Sequence, residues 1–370
     1  MTKNSYGSRL ALGVIGIGNI SETYLRNLTK LYSDSIDVRG CADIVSGRSA
    51  EAAERWKLPN TYTSVADLLS DSGIEAVVVL TNPVSHFDVC LEAVRAGKHV
   101  YVEKPLCATP SQARALLERA QLFNVLVSSA PDTCFGSAQQ LSLRVLKSGE
   151  IGKPVAGNAF MLCHGHERWH PNPGFFYAAG AGPLMDMGPY YLTAMIGLMG
   201  SVVSVQGSAQ KTFPQREIQS LPLRGSSIEV EVPTHIVGVL AFEDGALATI
   251  VTSFDVWHSQ TPHLEVHGTL GSISVPDPNR FAGAVRVRRA ADENWEEIST
   301  PGEEEVDLRG LGVVDLAQAI QQGVAPRLGG ELGLHVLEVM AAIEKSAQLG
   351  SSVTITSRAP ERSLLLSDSQ

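Results

Sequence analysis

Ala96-Gly97-Lys98-His99-Val100-Tyr101-Val102-Glu103-Lys104-Pro105-Leu106 holds the end of a helix, a strand and a charged turn in succession. Gly97 closes the helical pattern of residues 84–96, as a residue free to take positive φ does. Val100, Tyr101 and Val102 make a short β-type run, and Glu103-Lys104-Pro105 follows at its carboxyl end. A helix feeding a strand that ends in a polar turn is the unit of an open α/β sheet. In such sheets ligands bind beyond the carboxyl ends of the strands. Pro105 also pushes Lys104 out of the helical region into extended backbone. Taken alone, Lys104 reads as a solvated lysine beside Glu103, because lysines are mostly exposed. Its surroundings in the chain make it a site candidate.

Upstream, the apolar run 10–15 feeds Gly16-Ile17-Gly18-Asn19-Ile20-Ser21 and then a helical segment to about residue 32. This is the dinucleotide fingerprint with Ser21 at the third glycine position. The first glycine permits a tight turn, the second lets backbone approach a pyrophosphate, and the helix N-terminus receives the phosphate charge. The next apolar run, 36–42, ends in Asp43, 22 residues past Ser21. An acid there accepts the adenosine ribose hydroxyls, although Asp43 also suits capping of the next helix. It favours NAD over NADP, while Arg48 keeps NADP open. Helices over 46–56, 65–70, 84–96 and 110–123 alternate with strands over 76–80, 99–102 and 125–129, which means a doubly wound parallel sheet. Thr81, Asn82, Pro83 and His86 follow the strand 76–80, at the same sheet edge as Gly18 and Lys104; His86 reads either as a helix-start hydrogen-bonding residue or as one facing the cofactor.

Beyond residue 130 the pattern changes. After a helix at 138–147, strand-like runs at 155–162, 202–210, 234–242, 247–254, 264–267, 272–275, 284–288 and 295–298 come with few helices between them, which reads as a mostly antiparallel sheet. Helices over 313–322 and 331–349 close the chain. The expected architecture is a Rossmann domain at 1–130 and an α+β substrate and oligomerisation domain at 131–370, with a cleft between them.

Composition limits the function. The 370 residues, 44% hydrophobic and 18% charged, suit a globular protein of two domains. A net charge of −10 argues against nucleic acid as a main partner. Five single cysteines without a CxxC fit a reducing compartment and not a disulfide scaffold or thiolate zinc site. No run approaches membrane-span length, so the expected location is cytoplasmic.

Two segments of the second half carry polar groups in patterns that suit chemistry. Asp186 and Tyr190 lie four apart, on one face of a helix, with Gly188 between them leaving room for a ligand. The same pattern fits a plain N-cap at Asp186 with Pro189 in the first turn. His164, His166 and His170 stand with Glu167, Trp169 and Asn172 in a proline-flanked loop. No well-spaced carboxylate or cysteine joins them, so a substrate loop or an inert loop is preferred to a metal site.

Together, Gly16-x-Gly18-x-x-Ser21, Thr81-Asn82-Pro83-x-x-His86, Gly97-Lys98-His99-Val100 with Glu103-Lys104-Pro105, and Asp186-x-Gly188-x-Tyr190 resemble the Gfo/Idh/MocA oxidoreductases, relatives of glucose–fructose oxidoreductase and inositol dehydrogenase. The resemblance runs from about Leu10 to Ile355. It implies Lys104, Asp186 and Tyr190 as the catalytic group, Tyr190 standing where most members have histidine. It also implies an NAD(P)-dependent oxidoreductase that moves hydride to or from a secondary alcohol of a sugar, glycoside or cyclitol, and a homodimer or homotetramer built through an open sheet face. Cofactor contacts would come from Gly16, Gly18, Asn19, Ile20, Ser21, Asp43, Arg48, Thr81, Asn82, Pro83, His86, Glu103 and Lys104. Substrate contacts would come from His164, His166, Trp169, His170 and Asn172 with Lys104, Asp186 and Tyr190. No metal is expected. The rival readings are a redox glycosidase using NAD transiently and a non-catalytic NAD-binding sugar sensor.

Overall fold

The computed structural model describes residues 9–298, 306–360 and 364–366. They form two compact units, one running to Asp132 and including Asp307–Leu334, the other comprising Thr133–Val306 and the chain from His335 on.

The first unit alternates β1 (Leu10–Ile15), α1 (Ser21–Arg26), β2 (Ile36–Ala42), α2 (Arg48–Trp56), β3 (Asn60–Thr61), α3 (Val65–Ser70), β4 (Ala76–Val79), α4 (His86–Arg95), β5 (His99–Val102), α5 (Pro110–Leu122) and β6 (Val127–Ser129). The strands pair in the order β3-β2-β1-β4-β5-β6, all parallel. β1 and β4 are fully buried apolar runs, as strands covered on both faces must be. Chain direction away from β1 reverses between β1 and β4, which makes that junction the switch point where an open α/β sheet binds ligands. Two helices differ from expectation. α1 gives way to a wider turn at Asn27–Leu31, where the Asn27 amide donates to the carbonyls of Asp307 and Arg309, both at 2.8 Å. α4 starts at His86, after a short turn at Pro83–Ser85 capped by the Asn82 side chain.

The second unit holds α6 (Ser137–Lys147), β7 (Pro154–Leu162), α7 (Pro183–Met199), β8 (Val202–Gln210), β9 (Gln215–Glu217), β10 (Ser227–Glu229), β11 (His235–Phe242), β12 (Leu247–Ser253), β13 (Leu264–Gly268), β14 (Gly271–Val275), β15 (Arg286–Arg289) and β16 (Glu296–Glu297). Then come α8 (Leu311–Gln322), α9 (Gly330–Leu349) and β17 (Val353–Thr354). α8 lies in the segment that the sequence reading assigned to the second domain, yet it packs in the first unit. Its apolar face (Val313, Leu316, Ala317) shares a core with Tyr24, Leu28 and Tyr101. Asp132 supplies the cap that Gly310 cannot, accepting the Gly310 and Gly312 N–H groups at 2.7 and 3.1 Å. Burial pushes that carboxyl up to about 6.

Nine strands pair as β16-β15-β14-β13-β7-β12-β11-β8-β17. All neighbours are antiparallel except β7 and β12, which run parallel, Leu162 opposite Ser253. One face carries the helices: Gly157 meets Met199 of α7, while Gly207 and Gly238 meet Ile343 of α9. β9 and β10 form a separate hairpin that the sequence reading missed.

Candidate active site

In the first unit the candidates gather at the carboxyl ends of β1, β2, β4 and β5. Gly16 sits at φ +93°, and a Cβ there would lie 2.9 Å from the backbone of Leu80 and Thr81, so only glycine makes this turn. A Cβ at Gly18 would meet nothing within 4 Å, leaving its backbone open to a ligand. Ser21 is buried and binds the Gly18 carbonyl through its hydroxyl at 2.6 Å, which closes the loop onto α1. Asn19 is exposed and Ile20 half-buried at the same turn. The Asp43 carboxylate accepts the N–H of Ile17 at 2.6 Å and of Val45 at 2.7 Å, with the Arg48 guanidinium 3.9 Å away. It therefore fixes the glycine loop, and each oxygen keeps a further lone pair. Thr81 Oγ1 is buried without a hydrogen-bond partner among the described residues. An open glycine backbone and an orphaned hydroxyl at one sheet edge fit a dinucleotide.

Glu103 and His86 do other work. Glu103 is buried; one oxygen accepts the Tyr24 hydroxyl at 2.8 Å and the other the Lys104 N–H at 2.9 Å. His86 is fully buried, its Nδ1 2.7 Å from the Pro105 carbonyl and its Nε2 3.1 Å from that of Thr81. Burial holds its pKa below the usual range. Both side chains thus pin the backbone around half-buried Lys104. Asn82 and Pro83 are exposed, and Asn82 spends its side chain on Ser85.

In the second unit, parallel pairing of β7 and β12 brings the loop after Leu162 beside the one after Ser253. His164 stacks on Trp257, centroids 3.4 Å apart, and the Arg168 guanidinium lies 5.3 Å from the Trp257 ring centroid. His166 Nε2 lies 3.2 Å from Asp186 Oδ2. His170 Nδ1 accepts the Asn172 N–H at 3.1 Å, and burial lowers its pKa. The three histidines diverge to different partners, and among the described residues no group of His, Cys, Asp or Glu is arranged to hold a metal. Asp186 is not the N-cap: Gly182 is, and Asp186 sits in the first turn with Pro189 inside the helix. Tyr190 is buried on the same helix. Gly188 makes room for protein, not ligand, since a Cβ there would lie 2.9 Å from Met340 Sδ. Sequence reasoning missed Trp257, Phe254, Arg216 and Asp255, which no local pattern ties to the histidine loop.

Residues 10–130 match the oxidoreductase family with the NAD-binding Rossmann fold, and residues 141–274 match the GFO/IDH/MocA C-terminal domain. Inositol 2-dehydrogenase of Salmonella typhimurium is 30% identical over 148 residues, 40% of this chain and 44% of that enzyme, so less than half of its length is matched. Myo-inositol 2-dehydrogenase of Thermotoga maritima is 24% identical over 346 residues, 94% of this chain and 98% of that enzyme. Among solved structures, a levoglucosan dehydrogenase in complex with NADH superposes with a TM-score of 0.81 at 22% identity, over 95% of this chain and all of that one. No helix among the described residues is long and apolar enough to cross a membrane. The two family matches together span well over half of the sequence, and the chain belongs to the GFO/IDH/MocA oxidoreductases, with an NAD-binding Rossmann fold as its first unit.

Proposed function

We propose that this protein is an NAD-dependent dehydrogenase that moves a hydride between the nicotinamide and a secondary alcohol of a sugar, glycoside or cyclitol. The observation that carries it is the shared sheet edge of the first unit. There Lys104 follows β5 with its backbone held by Glu103, beside the open Gly16–Ser21 turn. The named activities of the inositol and levoglucosan dehydrogenases support the substrate class.

The Gly16–Ser21 turn would hold the pyrophosphate at the start of α1, and Asp43 the adenosine ribose, with Arg48 beside it. When bound, the nicotinamide supplies the hydride acceptor or donor. The chain must orient the alcohol and manage one proton. Lys104 and Tyr190 are the groups that carry or hold that proton, and Asp186 orients a substrate hydroxyl. Trp169 and Trp257, 64% and 57% exposed, suit stacking on a sugar ring, with His170 and Asn172 reaching hydroxyls. His164 already stacks on Trp257 and so shapes that surface.

A screen at 340 nm with inositols, aldoses, alkyl glycosides and anhydro-sugars, with NAD and NADP in parallel, tests this. NADH formed with one polyol class is expected, falling by at least about 100-fold in Lys104→Met, as loss of an acid–base group does. Tight NAD binding with no NADH from any alcohol would favour the redox glycosidase or the sensor. Near-normal turnover by Lys104→Met would remove Lys104 from the scheme.

A further inference from the structure

His166 stands in a loop expected to meet substrate, yet its ring turns inward. Nε2 lies 3.2 Å from Asp186 Oδ2. Phe176, Phe254 and Trp169 surround the ring at centroid distances of 3.9, 4.7 and 5.2 Å. Nδ1 is buried and has no hydrogen-bond partner among the described residues. A neutral imidazole carries a single N–H, and its position decides what the ring can do. On Nδ1, that N–H would be stranded among aromatic rings while Nε2 and the carboxylate faced each other as two acceptors. On Nε2, the N–H has a carboxylate oxygen 3.2 Å away to donate to, and Nδ1 is left as an idle acceptor, the cheaper atom to leave unpaired.

The backbone on both sides of the ring is fixed. At Gly165, φ is +82° and a Cβ would lie 2.2 Å from the Tyr177 hydroxyl, so no side chain fits. The His166 N–H donates to that hydroxyl at 3.3 Å, and the His166 carbonyl accepts the N–H groups of Trp169 and His170. Glu167 is pulled the other way: it accepts the Arg216 guanidinium at 2.6 Å and the Tyr177 hydroxyl. Arg216 in turn bonds Asp255 and, at 2.9 Å, the Phe254 carbonyl. This buried Glu167–Arg216–Asp255 group anchors the loop backbone, and the packed rings of Phe176, Phe254 and Trp169 hold the imidazole against Asp186.

We propose that His166 is a positioning residue for Asp186: as the Nε2–H tautomer it commits one carboxylate oxygen to a fixed hydrogen bond and so sets the direction of the other. The claim rests on the reading of Asp186 as part of the reacting group.

Two measurements test it. Long-range proton–nitrogen spectra of 15N-labelled protein, with His166 assigned by its loss in His166→Gln, report which ring nitrogen carries hydrogen. Protonated Nε2 and bare Nδ1 are expected; the reverse overturns the proposal. The second test uses side-chain reach. A glutamine amide reaches the place of Nε2, an asparagine amide that of Nδ1. His166→Gln is expected to keep kcat within a few-fold, and His166→Asn to lose on the order of 100-fold in kcat, the cost of misplacing a reacting group. Equal losses in both, or a loss confined to KM, would overturn the proposal, the latter making His166 a substrate ligand. The spectra need no substrate. A protein inert toward every alcohol but protonated on Nε2 would therefore overturn the dehydrogenase reading and keep the pair, while an active one protonated on Nδ1 would overturn the pair alone.

Discussion

At the scale of single residues, the motif positions are legible but the atoms they spend are not. The resemblance implies Glu103 as a cofactor contact, and His86 reads either as a helix-start hydrogen-bonding residue or as one facing the cofactor. In the fold the Glu103 carboxylate accepts the hydroxyl of Tyr24, 79 positions away, and the His86 ring meets the carbonyl of Pro105, 19 positions away. Only folding brings such partners together, and no spacing rule reaches across β1–β5. Asp43 is a milder case, since the placement that suggests ribose binding also lets it fasten Ile17 and Val45. The Tyr24 hydroxyl is the cleanest test of such a tie, because both it and the carboxylate it donates to are buried. Burial and the adjoining Glu103 raise the Tyr24 pKa well above its ordinary value, so it remains a donor throughout the working range. Tyr24→Phe should lower the unfolding free energy by about 2 kcal/mol, the size of a hydrogen bond to a charged group. Urea unfolding checks this, and a change below about 0.5 kcal/mol, the range of neutral surface substitutions, would mean that Glu103 finds another donor.

At the scale of elements, periodicity gives type and length but not the partner. The helix expected over 313–322 exists as α8, with an apolar stripe of Val313, Leu316 and Ala317. What the stripe could not say is that it faces Tyr101 and Leu28 of the first unit. The parallel pairing of β7 with β12 was equally hidden, because an alternating strand has the same pattern whichever way its neighbour runs. That pairing decides which loops meet, so missing it hid Trp257 from the reading of the histidine loop. α9 carries a measurable consequence of such a tertiary tie. His335 Nε2 accepts the Val202 N–H at 3.1 Å while Nδ1 lies 3.0 Å from the Ser357 hydroxyl. The ring is therefore neutral, and burial holds its pKa down to about 4. A histidine lowered on folding binds its proton more readily in the unfolded chain. Its stabilising contribution is full above about pH 6.5 and is lost as pH falls toward 4, a total of about 3 kcal/mol. Denaturant midpoints between pH 7 and 4 should fall more steeply for the native protein than for His335→Gln, which keeps both a donor and an acceptor without titrating. Parallel curves would show that His335 does not govern this limb.

At the scale of the whole molecule, the described residues cover the large sheet of the second unit with helices on one face and not on the other. The covered face reads Ala159, Ile250, Gly238 and Gly207 across four strands, packed under α7 and α9. The opposite face presents Phe160, Val251, Val237, Thr249 and Val239, half-buried or exposed, with Val239 at 41%. β-Branched and aromatic residues side by side on an uncovered face are the composition of a surface that is buried in use, since a stable interface removes about 800 Å² per partner and its core is apolar. The alternation of β11 and β12 shows apolar residues on both faces, so this much was legible in sequence; the register that aligns them across strands was not. We therefore expect a homodimer or a multiple of it, joined through this face. Val239 is the place to break it, because it lies on β11 between Gln206 and Thr249, the latter four residues along β12 from Ser253, where the loop beside the histidines begins. Val239→Glu would put one carboxylate from each copy into the interface without a partner, a cost of several kcal/mol per buried ion. Sedimentation velocity should find the native protein associated and the variant shifted to monomer, with NAD affinity by calorimetry unchanged because the Rossmann unit is untouched. A native protein that sediments as a monomer, or a variant that stays associated, would mean that this face is not where the copies meet.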